Sequence, residues 1–124
     1  MFFSYSARRS RIGWRIKYCY DCGHEHAYTP DTDWIKIFGN ELACVHIHDN
    51  LGYDRNADPD AHYLPFDGTF DYADMVRRLD EVGYEGPIML EVFNTTKPEY
   101  RKLTCDEFIA ECATRARRIA NMSE

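Results

Sequence analysis

The run Cys44-Val45-His46-Ile47-His48-Asp49-Asn50 puts metal-ligand side chains where a strand would ordinarily bury aliphatic ones. Extended backbone alternates its side chains, so Cys44, His46 and His48 share one face while Val45 and Ile47 take the other. Asp49-Asn50-Leu51-Gly52 is a turn sequence, which sets the imidazoles at the C-terminal end of that strand. Two other short apolar runs end the same way. Ile16-Lys17-Tyr18-Cys19-Tyr20 delivers Asp21, and Ile88-Met89-Leu90 delivers Glu91. One imidazole nitrogen and two carboxylates suit a borderline-to-hard divalent ion: Zn²⁺, Mn²⁺, Co²⁺ or Mg²⁺. Any one of the three alone reads more simply as a core histidine or a solvated strand-end acid. All three at equivalent positions on neighbouring strands point to one shared metal held by Asp21, His46 and Glu91.

A second set, His24, Asp60 and His62, falls on predicted loops at the same end. These residues are either a possible additional metal site or ordinary surface side chains. His48 shares the face of His46 at the strand edge, a position for backing a metal ligand or touching substrate. His26 carries no signal beyond a surface loop. A rival constellation, Cys19, Cys22, His24 and His26, has Cys-x-x-Cys spacing but draws on eight consecutive residues. It lacks the second knuckle that structural zinc ordinarily uses. Phe66-Asp67-Gly68 has neither the glycine density nor the lysine of a phosphate loop.

The elements that must position these groups follow from periodicity and punctuation. Residues 16–21 predict the first strand, after an irregular start or helix end at 7–15. Cys22 to His26 reads as a loop. Pro30-Asp31 then opens a helix with Asp31 as N-cap, carrying Trp34, Ile35 and Phe38 on one stripe and stopping at Gly39. The second strand spans 43–48, and a long polar loop covers roughly 49–70, a length that usually means function or disorder. Asp71 caps a helix with Tyr72, Met75, Leu79 and Val82 on one face, ended by Gly83. The third strand is Ile88 to Leu90. After a polar loop, Thr104-Cys105-Asp106-Glu107 forms a capping box for a last helix with Phe108, Cys112 and Ile119 on its stripe. The order β-α-β-α-β-α implies a parallel sheet with right-handed crossovers, in which chemistry gathers at the C-terminal strand ends.

At 124 residues, 44% hydrophobic and 15% aromatic, the chain suits a single domain with a real core. Its net charge of −6 is uneven. Residues 1–20 hold Arg8, Arg9, Arg11, Arg15 and Lys17 and no acid; the other 104 carry ten basic against 21 acidic side chains, a net of −11. A body that acidic repels phosphate backbones and argues against a general nucleic-acid partner. No run approaches membrane-spanning length. Five cysteines, an odd number with no preceding signal peptide, point to a reducing, cytoplasmic compartment.

Taken in order, Asp21-Cys22-Gly23-His24, His46-Ile47-His48-Asp49, Asp60-Ala61-His62, Leu64 to Phe70, Gly83-Tyr84-Glu85-Gly86 and Leu90-Glu91-Val92 resemble the xylose isomerase-like TIM-barrel superfamily. That superfamily includes sugar-phosphate isomerases and epimerases and endonuclease-IV-type enzymes. The resemblance spans about residues 16–121. It implies an α/β fold, a partial (β/α)₈ TIM barrel containing the last three βα units with parallel strands, so that 1–124 is one truncated domain. Such a piece leaves two open strand edges for a complementary half-barrel or a homo-oligomer to cover.

The resemblance also assigns roles. Asp21, His46 and Glu91 match metal ligands, a fourth ligand being a glutamate on an earlier strand. His24 matches a substrate contact of epimerase-like members, and His24, Asp60 and His62 match ligands of an additional metal in endonuclease-type members. The implied reaction is a divalent-metal-dependent isomerisation or epimerisation of a sugar or sugar phosphate. A proton α to a carbonyl would move through an enediolate, with Glu91 as one catalytic carboxylate. The alternatives are an endonuclease-IV-like phosphodiesterase on abasic DNA and a non-catalytic metal- or partner-binding protein.

Overall fold

Three short strands carry the fold in a computed structural model that describes residues 16–53 and 58–123. Residues 7–15, read above as an irregular start or helix end, lie outside the described part. Strands β1 (Tyr18–Asp21), β2 (Leu42–Ile47) and β3 (Ile88–Leu90) pair in parallel in the order β1-β2-β3. The register sets Cys19 opposite Cys44, Asp21 opposite His46, and His46 opposite Met89. The first two strands are shortened or shifted relative to the sequence reading, while β3 keeps its expected bounds. β1 starts at Tyr18 rather than residue 16, and β2 runs 42–47, leaving His48 just past its end.

Alternation then divides the sheet into two faces. Tyr20, Val45 and Ile47 point outward into a core with Ile35, Tyr72, Met75, Leu79 and Ile119. Cys19, Asp21, Cys44 and His46, one residue out of phase, take the other face. Burying each large apolar side chain contributes roughly 1.5–3 kcal/mol at most, so this outer core outweighs any single polar contact at the strand ends.

The first crossover differs from the sequence reading. Cys22 to His26 is not a loop: helix α1 (Cys22–Tyr28) begins directly at the strand end. Asp21 is its N-cap, the His24 amide donating to Asp21 Oδ1 at 2.9 Å. Helix α2 (Trp34–Phe38) is capped by Asp33, not Asp31; its carboxylate accepts from the Lys36 amide at 3.1 Å. The same Oδ1 accepts from Arg78 Nη1 at 3.2 Å, so a tertiary partner favours Asp33 over its neighbour. Gly39, φ +51°, closes α2 as expected.

Helix α3 (Tyr72–Glu81) follows its predicted cap and stripe. Asp71 accepts from the Asp74 amide, and Tyr72, Met75, Val76 and Leu79 are buried. Thr104 and Glu107 close a reciprocal capping box on helix α4 (Cys105–Ala120), which contributes Ile119 to the core. A cavity of about 440 Å³ separates α3, β3 and α4 on the outer, apolar face, away from the strand-end chemistry. Among the described residues no helix is long and apolar enough to cross a membrane.

Candidate metal centre at the strand ends

Asp21 closes β1, His46 is the penultimate residue of β2, and Glu91 follows β3 with its amide donating to the Ile47 carbonyl at 3.0 Å. Each of the three offers a ligand atom, and these atoms lie within 4.8 Å of one another. His46 Nδ1 is 2.9 Å from Glu91 Oε2. His46 and Glu91 are half-buried, whereas the Asp21 side chain is 11% exposed. Burial by itself would raise the Asp21 carboxyl. The facing His48 imidazole and the His24 amide outweigh it and hold the group at about 2. Asp21 is therefore an anion at neutral pH, in the state a cation requires.

His48, just past the end of β2, is fully buried beside Asp21. Its Nε2 lies 3.1 Å from Asp21 Oδ1, a charge-pairing distance, and neither ring nitrogen makes a hydrogen bond among the described residues. Gly23 makes this position possible, because a Cβ there would fall inside 3.0 Å of three His48 ring atoms. Above His48, the His62 ring stacks parallel with centroids 3.8 Å apart, and Phe93 stacks on His62 at 4.6 Å.

His24, Asp60 and His62 also converge, and His48 joins them as a fourth group. His62 is held in the left-handed region, φ +49°, a strained conformation for a side chain of this size. Its Nδ1–H donates to the Glu91 carbonyl at 2.6 Å, so a neutral ring would carry its single proton there. In that state Nε2 would face Asp60 Oδ1, 2.9 Å away, with a lone pair. His24 stands in a similar bind, with Nδ1 3.1 Å from Asp21 Oδ2 and Nε2 3.1 Å from Asp60 Oδ1. A neutral imidazole has one proton to offer two carboxylates. Either extra protons or a shared cation resolves both conflicts, and the donor set of imidazoles with one carboxylate is a fitting one for the cation.

The loop that carries these residues is organised by Asp49, whose fully buried carboxylate accepts from the amides of Phe66 at 2.9 Å, Phe70 at 3.1 Å and Asn50 at 2.9 Å. Burial raises this carboxyl above its usual range against those bonds. Asp49 also exchanges backbone hydrogen bonds with Tyr63, next to His62. Its role was not read from the sequence, where it was only part of a turn.

The rival Cys-x-x-Cys site does not assemble. Cys22 is buried and its thiol donates to the His48 carbonyl at 3.5 Å, while Cys19 meets Cys44 on the adjacent strand, Sγ to Sγ 3.0 Å. His26 turns away to Thr69, Nε2 2.8 Å from the hydroxyl. The cross-strand thiol pair was missed although its signal was present: Cys19 and Cys44 each lie two residues before a metal-ligand type, hence on its face. Burial, then Cys44, Asp21 and Glu91, push the Cys19 thiol up to about 12.

Comparison with known proteins gives these observations a setting. A family model described as the xylose isomerase-like TIM barrel matches residues 10–112. The uncharacterized protein y4fM of Sinorhizobium fredii is 34% identical over 74 residues, 59% of this chain and 22% of that protein. The uncharacterized protein MJ1311 of Methanocaldococcus jannaschii is 29% identical over 75 residues, 58% of this chain and 24% of its own. Among solved structures, the IolI protein with a binding zinc atom superposes with a TM-score of 0.68 at 23% identity, over 83% of this chain and 37% of that one. A D-tagatose 3-epimerase-like protein gives 0.53 at 22% identity, over 81% and 37%. The match thus spans about a quarter of the length of these curated relatives and just over a third of the solved chains. At these identities the solved structures speak for the fold alone.

Proposed function

The chain belongs to the xylose isomerase-like TIM-barrel family, and from that membership we propose that its strand-end cluster serves a divalent-metal-dependent isomerase or epimerase reaction on a sugar or sugar phosphate. The observation that carries this reading is the convergence of Asp21, His46 and Glu91, from three adjacent parallel strands, to within 4.8 Å. These three residues would hold the cation, whether zinc, manganese, cobalt or magnesium. When bound, it supplies Lewis-acid polarisation of a substrate carbonyl. Asp21 stays ionised and fixed, because it is tied to the start of α1 and backed by His48.

Glu91, at 39% side-chain exposure, has the freedom to take a proton from the carbon next to that carbonyl. A second carboxylate, from a glutamate on a further strand of a complete barrel, returns a proton to complete an enediolate pathway. His24, half-buried at the mouth, turns Nε2 from Asp60 to a substrate oxygen, and the exposed Phe93 ring, backed by His62, supplies a flat wall for the sugar's apolar face. A complementary half-barrel or a second copy of the chain covers the outer edges, where Tyr18, Ile88 and Met89 are exposed. Five free thiols fit a reducing compartment.

The experiment is deuterium wash-in. The chain, loaded with each of the four metals, is incubated in D₂O with a panel of ketoses and their phosphates, alone and with a second polypeptide that carries further strands of such a barrel. Deuterium at the carbon α to the carbonyl supports the proposal. Stoichiometric metal with no exchange under any condition contradicts it and favours a non-catalytic binding protein. One observation favours a phosphodiesterase on abasic DNA instead, the His24, Asp60 and His62 grouping. It is opposed by the −11 charge of residues 21–124. Nicking of an abasic duplex by the same preparation would select that reading.

A further inference from the structure

We propose that Cys19, Cys44 and His46 form a second, sulfur-bearing cation site one rung below the strand ends, sharing His46 with the strand-end set and selective for thiophilic divalent ions of the zinc and cobalt type. The strand register places Cys19 directly opposite Cys44, two residues before the Asp21–His46 rung and on the same face of the sheet. Their sulfurs are 3.0 Å apart, and a His46 ring nitrogen lies within 4.8 Å of both. Two thiolates on one tetrahedral ion, each bound at about 2.3 Å, stand about 3.8 Å from one another. The pair needs to open by less than about 1 Å, a movement of side-chain torsions that leaves the strands in place. Two sulfurs, one imidazole and an open fourth position make a set that zinc accepts and magnesium and manganese do not.

Access favours this pair over the enclosed Cys22. Cys19 is exposed and Cys44 half-buried, so an ion can reach them, whereas Cys22 is enclosed and committed to the His48 carbonyl. His46 is common to this set and to Asp21 and Glu91. An ion on the sulfurs therefore competes with one at the strand ends for the same imidazole, and a thiophilic metal in excess displaces the hard-ion arrangement. The sulfur site stands on its own whether or not the strand-end cluster supports isomerisation.

Cobalt(II) titration of the reduced 124-residue chain tests the assignment, because thiolate coordination produces an intense near-ultraviolet charge-transfer band that oxygen and nitrogen ligands do not. The band is expected in the parent and in Asp21→Asn. It should be lost, or its half-saturation shifted at least about tenfold, in Cys19→Ser and Cys44→Ser. Absence of the band in the parent, or its full survival in Cys19→Ser, overturns the proposal. A measurement on the unmutated chain guards against misfolded variants: zinc should protect Cys19 and Cys44, but not Cys105, from iodoacetamide as read by peptide mass spectrometry. Equal alkylation of Cys19 and Cys44 with and without zinc would also overturn it.

Discussion

Gly23→Ala sets two effects of known size against each other. Gly23 lies in the first turn of α1, where alanine ordinarily stabilises a helix by about 1 kcal/mol over glycine. Here the new methyl would fall inside 3.0 Å of three ring atoms of His48. His48 cannot step aside: it is fully buried and stacked on His62 at 3.8 Å. Overpacking a rigid site costs about 1–3 kcal/mol, and a clash with a whole ring belongs at the upper end. The net expectation is a loss of about 1–2 kcal/mol.

His48→Ala alone leaves a cavity and should cost about 2–4 kcal/mol. The two together should cost less than their sum by about 1–2 kcal/mol, since the methyl occupies space the ring has vacated. Urea unfolding of the parent, the two single variants and the double variant, compared at constant m, reads the cycle. Because His48 backs Asp21, manganese affinity should fall with Gly23→Ala as well. A Gly23→Ala chain as stable as the parent, or strict additivity in the double variant, would refute the reading of His48 as a rigid support.

Two further outcomes follow from buried charge. Arg78 pairs with Glu25 at 2.8 Å, both side chains being about nine-tenths buried; Arg78→Ala strands that carboxylate and should cost about 3–5 kcal/mol in urea unfolding, with Arg78→Met/Glu25→Gln distinctly milder. Asp21→Asn keeps an oxygen to cap α1 but removes the charge. Because the folded carboxyl is depressed from 3.8 to about 2, its contribution is present above the unfolded value and lost as pH falls through the folded one. The variant should be about 2 kcal/mol less stable than the metal-free parent at neutral pH, with the gap closing as pH is lowered from about 5 toward 2. A gap independent of pH would contradict this.

The strand-end rung was legible in the sequence because it depends only on alternation and on where each apolar run stops. Asp21, His46 and Glu91 needed no long-range information beyond the parallel order. Helix α1 was not legible: Gly23, His24 and His26 are weak helix formers, and what holds the helix is the Asp21 cap and Glu25 paired with Arg78, 53 residues away. The choice of Asp33 over Asp31 has the same origin in Arg78. The depth of His48 depends on the missing side chain of Gly23, a complementarity between residues 25 apart that periodicity does not register. Cys19 with Cys44 was within reach of the pattern but required the strand register to become a pair.

Manganese binding addresses the strand-end cluster most directly, because Mn²⁺ favours carboxylate and imidazole over thiolate and so leaves the sulfur pair silent. Electron paramagnetic resonance of free Mn²⁺ during titration should show saturable binding in the parent and in a His26→Ala control. Asp21→Asn, His46→Ala and Glu91→Gln should each weaken it at least about tenfold. Unchanged affinity in all three would mean that no cation is shared between them.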